Sequence, residues 1–196
     1  NNDNPQAIIT GDSFSRQYMN SFKKSGFKAI GIFKDGCFIT PNYYSKFESN
    51  DNRLCKLRYD NFIKVMKEHP KTNVILSMSW GSYKLTDKNT DREIKDNSDS
   101  IIINELSELI KIGGHLRKYY IIGRPNGSEK SSFECLARNN LPINRIITHC
   151  ELFSERKIIS INDELKKLET LYNNVTIIDP NDVLCKENEC ILLDKD

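Results

Sequence analysis

Five short apolar runs, separated by segments of helical periodicity, constrain this chain more than any other feature. The runs are Ala7 to Ile9, Phe27 to Phe33, Asn73 to Ser79, Tyr119 to Ile122 and Val175 to Ile178. Each has strand length and is apolar enough to be buried on both faces. Between them, apolar residues recur at helical spacing. Phe14, Tyr18 and Phe22 form one row, with Met19 beside it, and Cys55, Tyr59, Phe62 and Met66 form another. Ile102, Leu106, Leu109 and Ile110 form a third, and Ile161, Leu165, Leu168 and Tyr172 a fourth. Strands that alternate with helices pair in parallel through right-handed crossovers. The expectation is an α/β fold, a doubly wound three-layer sandwich in one domain spanning residues 1–196.

The breaks between these segments are also legible. Ser25-Gly26 stops the first helix, Pro70 the second and Gly113-Gly114 the third. Residues 34–51 read as a loop whose Tyr43, Tyr44 and Phe47 either line a cleft or pack a flap onto the core. Residues 84–98 read as an exposed excursion, and residues 128–154 as irregular.

In a parallel sheet ligands bind beyond the C-terminal ends of the strands. Four runs end in small, polar or aromatic residues: Gly11-Asp12-Ser13, Gly36-Cys37, Trp80-Gly81-Ser82 and Gly123-Arg124-Pro125-Asn126. The first is the most informative, because it breaks a strand and opens a helix. Backbone N–H groups are unpaired at such a place, which suits a nucleophile whose reaction develops an oxyanion. The plainer reading is a helix N-cap, for which Asp and Ser are preferred residues.

Composition narrows the function class. The 29 basic residues nearly balance 27 acidic ones and are dispersed, so no nucleic-acid footprint is expected. No apolar run approaches the ~20 residues that span a bilayer. The polar start, Asn1-Asn2-Asp3-Asn4-Pro5, is not a signal peptide, and it reads as a chain already processed or cut from a longer one. The six cysteines, Cys37, Cys55, Cys135, Cys150, Cys185 and Cys190, fall in local pairs without a C-x-x-C. Six cysteines allow 15 connectivities. Sequential pairing is the one expected, in an oxidising compartment, with each bridge worth roughly 2–3 kcal/mol. Six buried thiols in a cytosolic protein are the alternative. No residues have metal-ligand spacing, and neither a P-loop nor a G-x-G-x-x-G is present, which argues against a nucleotide-binding domain.

Gly11-Asp12-Ser13 resembles block I of the SGNH/GDSL hydrolases, which have a flavodoxin-like α/β fold. The similarity is closer to the SGNH domains attached to bacterial membrane acyltransferase-3 proteins. It extends through Gly36-Cys37, Cys55 before a helix, Trp80 near Tyr83, and Gly123-Arg124-Pro125 followed by Phe133-Glu134-Cys135-Leu136-Ala137-Arg138. It ends at Asp179-Pro180 with the Cys185 and Cys190 pair. The resemblance implies a serine acyl-enzyme that transfers an acyl group, acetyl above all, to a cell-surface polysaccharide. It further implies a membrane acyltransferase-3 partner that delivers the acyl group, no cofactor, and a periplasmic or otherwise extracytoplasmic site tethered to the inner membrane. Carbohydrate esterase chemistry would use the same residues. A non-catalytic glycan-binding or partner-docking module is the reading from a different class.

By the same resemblance, Ser13 is the nucleophile of a Ser-His-Asp triad, and Asp12 fixes the turn that carries it. Oxyanion donors would be the Ser13 N–H, Gly36 and a residue after the third strand. There Trp80-Gly81-Ser82 replaces the family's G-x-N-D. The family's D-x-x-H does not occur among the 196 residues, so the expectation is a domain without its C-terminal Asp-x-x-His segment, inactive by itself. His69 reads as a helix-end cap, and His115 falls at the wrong rim. His149, beside Cys150, is the one histidine that sequence does not place away from the cleft. Asp179, Asp194 and Asp196 read as surface residues.

Overall fold

The structure is a computed structural model that describes residues 4–45, 52–81, 84–94, 99–127 and 152–192. Two compact units emerge: residues 1–124 with 160–178, and residues 125–159 with 179–196.

The larger unit is built on five parallel strands: β1 (Ala7–Gly11), β2 (Ala29–Phe33), β4 (Asn73–Ser77), β6 (Tyr119–Ile122) and β8 (Val175–Ile178), in the order β2-β1-β4-β6-β8. All five expected strands are present in the expected parallel sheet. Register runs straight across it. Ile9 lies between Gly31 and Ile75, Ile75 pairs with Tyr120, and Tyr120 with Thr176. Because side chains alternate across a strand, this register sorts the sheet into two unequal faces. One carries Ile8, Thr10, Val74, Leu76, Tyr119 and Ile121, all buried. The chain moves in one direction from β2 through β4 and β6 to β8. Right-handed crossovers therefore place α3 (Asn52–Glu68), α4 (Asp99–Gly113) and α5 (Ser160–Leu171) together on that face. Their rows bury as the spacing predicts, through Cys55, Phe62 and Met66, then Ile102, Leu106, Leu109 and Ile110, then Ile161, Leu165 and Leu168.

The step from β1 to β2 runs the opposite way, so its helices cover the other face. There the expected single helix is two short ones, α1 (Ser13–Arg16) and α2 (Met19–Lys24). The break is a tightened turn in which the Tyr18 N–H bonds Ser15 O at 3.2 Å. The apolar row survives it: Tyr18, Met19 and Phe22 pack on Ala7, Ile9, Ile75 and Ile122. Ala7, Phe22, Phe27, Ile75, Ile122 and Ile178 line a cavity of about 420 Å³ on this thinner side.

Two expectations for the loops need correction. Residues 34–51 contain a strand, β3 (Tyr43–Ser45), which pairs antiparallel with β5 (Leu85–Asp87). Leu85 and Thr86 are buried, so the start of residues 84–98 is core-facing strand and not an exposed excursion. Phe38, Ile39, Thr40 and Tyr44 are buried too, so of the two alternatives for this segment the flap packed on the core is the one present. Phe47 lies outside the described residues. The Cys37–Cys55 disulfide ties this segment to α3, as sequential pairing predicts.

The smaller unit has a three-stranded antiparallel sheet in the order β7-β10-β9, made of β7 (Phe153–Glu155), β10 (Glu189–Ile191) and β9 (Cys185–Lys186). Cys185 and Cys190 are cross-strand partners and are disulfide-bonded, so the expected closed hairpin is present. The helix α6 (Asn181–Leu184) follows Asp179-Pro180 directly. Within this unit Asn126 acts as a clamp. Its N–H donates to Asn181 Oδ1 at 2.6 Å and its Nδ2 to Ser154 Oγ at 2.7 Å, while its Oδ1 accepts from Lys157 N–H at 3.0 Å. Cys135, His149, Cys150, Asp194 and Asp196 lie outside the described residues.

Candidate active site

β1 ends at Gly11, whose φ of +139° disfavours a side chain. Packing excludes one outright: a Cβ would stand 1.9 Å from Ser77 O and 2.7 Å from Ser15 Oγ. The backbones of β1 and β4 therefore approach closely at their C-terminal ends, and the chain turns over that contact into α1. Asp12 is the N-cap, only 1 % exposed. Its Oδ1 accepts from Phe14 N–H at 2.8 Å, and its Oδ2 from Ser79 N–H at 3.1 Å. One carboxylate thus satisfies an orphan donor of the helix and fastens the turn to the segment after β4.

Ser15 locks the turn from beneath. Its hydroxyl lies 2.5 Å from Thr10 O and 2.8 Å from Ser77 O, and accepts from Ser77 N–H at 3.0 Å. Between these two engaged and buried residues, Ser13 opens α1 and is exposed. As the first helical residue it has no intrahelical acceptor for its own N–H. The arrangement can present a hydroxyl on a turn braced from both sides by Asp12 and Ser15, with an N–H group beside it.

Gly36 lies on the neighbouring turn, after β2, at φ +69°. That turn is laced to the serine turn by the Lys34 N–H on Gly11 O, at 3.3 Å, and by the Arg16–Asp35 ion pair at 2.6 Å. Its far side is pinned: Ser45 Oγ bonds Gly36 O, and Phe38 N–H donates to Ser45 Oγ at 3.0 Å. Trp80 and Gly81 follow β4 at the same edge of the sheet. Trp80 is wholly buried, its indole N–H donates to Ile122 O at 2.7 Å, and its backbone N–H bonds Met78 O at 2.8 Å. Both of its N–H groups are thus engaged, and Trp80 builds the rim. Gly81, at φ +76°, is exposed beyond it, while Ser82 lies outside the described residues.

The turn after β6 completes the edge. Arg124 Nη1 donates to Trp80 O at 3.2 Å. Asn162, near the start of α5, accepts Arg124 N–H at 2.7 Å and donates to Arg124 O at 2.9 Å. Ser15 and Asn162 are the rim-building residues that sequence reasoning missed. A serine in a first helical turn is unremarkable by itself, and Asn162 stands 38 positions from its partner. His69 and His115 precede β4 and β6, and therefore lie at the opposite edge from Ser13. Among the described residues, no group of His, Cys, Asp and Glu could hold a metal ion.

The profile of the family described as "SGNH domain (fused to AT3 domains)" matches residues 1–196. The chain belongs to this SGNH family. The family is one of acyl-transfer enzymes. One solved structure similar to this domain is the periplasmic domain of the Salmonella ser. Paratyphi A lipopolysaccharide acetyltransferase, at a TM-score of 0.66 and 14 % identity. The likeness covers 96 % of this chain and 71 % of that one, and at this identity it establishes the shared fold. No curated protein matches the sequence significantly.

Proposed function

We propose that this SGNH domain is the extracytoplasmic acyl-transfer module of a bacterial O-acyltransferase, acting on a cell-surface polysaccharide through Ser13. The observation that carries the reading is the exposed Ser13 hydroxyl held between Asp12 and Ser15, both buried and fully engaged. In the proposed reaction Ser13 Oγ attacks the carbonyl carbon of the donor's acyl group and its proton passes to a base. The tetrahedral oxyanion accepts from the N–H groups of Ser13 and Gly36. Collapse expels the donor's leaving group, which takes the proton. The acceptor sugar's hydroxyl then attacks the acyl-serine, again losing its proton to the base, and restores the Ser13 hydroxyl.

A serine hydroxyl needs such a base at neutral pH. His69 and His115 stand at the wrong edge and His149 lies outside the described residues, so the reading takes the base from the Asp-x-x-His that the SGNH resemblance implies. The acyl group comes from the AT3 domain to which such domains are fused, with no further cofactor. The disulfides fit an oxidising, extracytoplasmic setting. The lipopolysaccharide acetyltransferase named above supports acetyl as the group and a glycan as the acceptor.

The test is labelling of the full polypeptide with a fluorophosphonate probe, with Ser13→Ala as the control. Labelling is expected in wild type and absent in the variant. A folded wild-type protein that stays unlabelled overturns the catalytic reading. Supplying an acetyl donor with either water or a glycan acceptor then separates esterase from transferase.

A further inference from the structure

The turn after β6 carries a cation that leans toward Ser13. Buried Asn162 clamps the Arg124 backbone in both directions, and Gly123 permits it, because a Cβ there would stand 2.7 Å from Asn162 Oδ1. Arg124 itself is exposed. Its Nη1 donates to Trp80 O at 3.2 Å, so the guanidinium reaches one strand back across the sheet, from the end of β6 to the end of β4. Trp80 is a firm anchor for it, buried and held through its indole N–H on Ile122 O. Ser79, next to Trp80, donates to the carboxylate of Asp12, the residue before Ser13. Gly81 is exposed, and a Cβ on it would lie 4.0 Å from Arg124 Nη1, so the residue beside the guanidinium has no side chain to cover it. On the other flank stands Lys34, after β2, whose N–H bonds Gly11 O at 3.3 Å. The strand order β2-β1-β4-β6 thus sets Ser13 between Lys34 and Arg124. On these four turns the acids are Asp12, buried and engaged, and Asp35, paired with Arg16, so positive charge is in surplus.

We propose that Arg124 is a specificity-determining residue of the acyl-transfer site and selects an acidic acceptor glycan, one whose sugar rings carry carboxylates. This selection rests on the reading of Ser13 as the acyl carrier and concerns the acceptor class of that same site. Cations on both flanks of one rim raise the local concentration of an anionic chain and draw it across the serine turn. Lys34 supplies general attraction, because an ammonium is a strongly hydrated charge on a flexible stem. Arg124 supplies direction, because a guanidinium is planar, weakly hydrated and matched to a carboxylate. Its backbone is clamped by Asn162 and its head is steered by Trp80 O, so less freedom is lost when a ligand arrives. The ends of β4 and β1 lie about 4.8 Å apart, a gap that one pyranose ring spans. A sugar carboxylate drawn to Arg124 therefore leaves the hydroxyls of its own ring over the end of β1, where the acyl-serine forms.

Titration calorimetry on the full polypeptide carrying Ser13→Ala, in which no acyl transfer occurs, tests the proposal. The probes are oligogalacturonate and its methyl ester, which has the same rings without the charge. The acid is expected to bind about tenfold tighter than the ester, as a charge-assisted contact gives, and the margin should narrow as salt rises. Adding Arg124→Gln should bring the ratio toward one, while Arg124→Lys should keep part of it. Arg124 is exposed, so neither change is expected to unfold the domain. With Ser13 intact, oligogalacturonate should also shield the serine from the fluorophosphonate probe, and the ester should do so less. No binding of the acid, equal affinity for acid and ester, a preference undiminished in Arg124→Gln, or binding that leaves Ser13 unshielded would each overturn it. A Ser13 that stays unlabelled without any glycan sinks the acyl-transfer reading instead, and the affinity ratio still decides what Arg124 selects.

Discussion

Gly11 shows at the scale of one residue how tightly the serine turn is built. Any side chain there meets the Ser77 carbonyl and also needs an unfavourable φ. Gly11→Ala is expected to destabilise the domain by about 3 kcal/mol or more, since overpacking and backbone strain add. Urea denaturation measures it. Asp12 and Ser13 should separate cleanly in the same assay. Asp12→Ala removes the cap on Phe14 and the bond to Ser79, at a cost of about 1–3 kcal/mol. Ser13→Ala removes an exposed hydroxyl and should change stability by less than about 0.5 kcal/mol, while abolishing probe labelling of the full polypeptide. A large stability loss in Ser13→Ala would contradict its exposed position.

At the scale of elements, the turn that carries Gly36 depends on partners far along the chain. The Cys37–Cys55 disulfide holds it to α3, and β3 and β5 form the small sheet beneath it. Asn42 makes two bonds of 2.8 Å to the Glu105 carboxylate on α4. Lys88, just after β5, donates to Thr40 O and Pro41 O and lies 3.9 Å over the Tyr59 ring. Replacing Cys37 and Cys55 together by serine should cost about 3 kcal/mol, whereas the same change at Cys185 and Cys190 should cost about 2 kcal/mol, because the second bridge closes the shorter loop. Equilibrium unfolding of the two double variants gives the comparison, and equal losses would count against the loop-length account.

For the whole molecule, the half-buried Lys88 and Tyr59 and the buried Tyr119 shape the alkaline stability profile. Burial draws the Lys88 amine down to about 8 from its ordinary 10.5, with Glu105 and Asp60 opposing and Lys56 assisting. Burial, aided by Glu105 and Asp60, pushes Tyr59 up to about 12, and burial does the same to Tyr119 against the pull of Arg117. Between about pH 8 and 10.5 the unfolded chain binds a proton on Lys88 that the folded one has released, so this group makes stability rise with pH. From about pH 10 to 12 the folded chain keeps tyrosine protons that the unfolded chain loses, so stability falls. Denaturant midpoints should therefore climb from pH 8 toward 10 and decline beyond it. Lys88→Met should remove the climb and Tyr59→Phe should soften the decline.

The strand and helix alternation, the parallel sheet and the position of Ser13 at a strand-to-helix turn were all legible in the order of the residues. Each rests on periodicity and chain breaks within a few positions, such as the row Cys55, Phe62, Met66 or the sequence Gly11-Asp12-Ser13. Sequence also anticipated the Cys37–Cys55 and Cys185–Cys190 pairs, because their spacing is local. It did not reveal β3 pairing with β5, since a three-residue strand carries almost no periodic signal and its partner lies some forty residues away. Nor could it show that Trp80 has both N–H groups occupied, that Ser15 braces the serine turn, or that the Arg124 head reaches back to the Trp80 carbonyl. Local sequence determines which residues can form an element and where that element stops. Which polar groups find partners depends on backbones brought together from distant parts of the chain, and only the folded structure decides that.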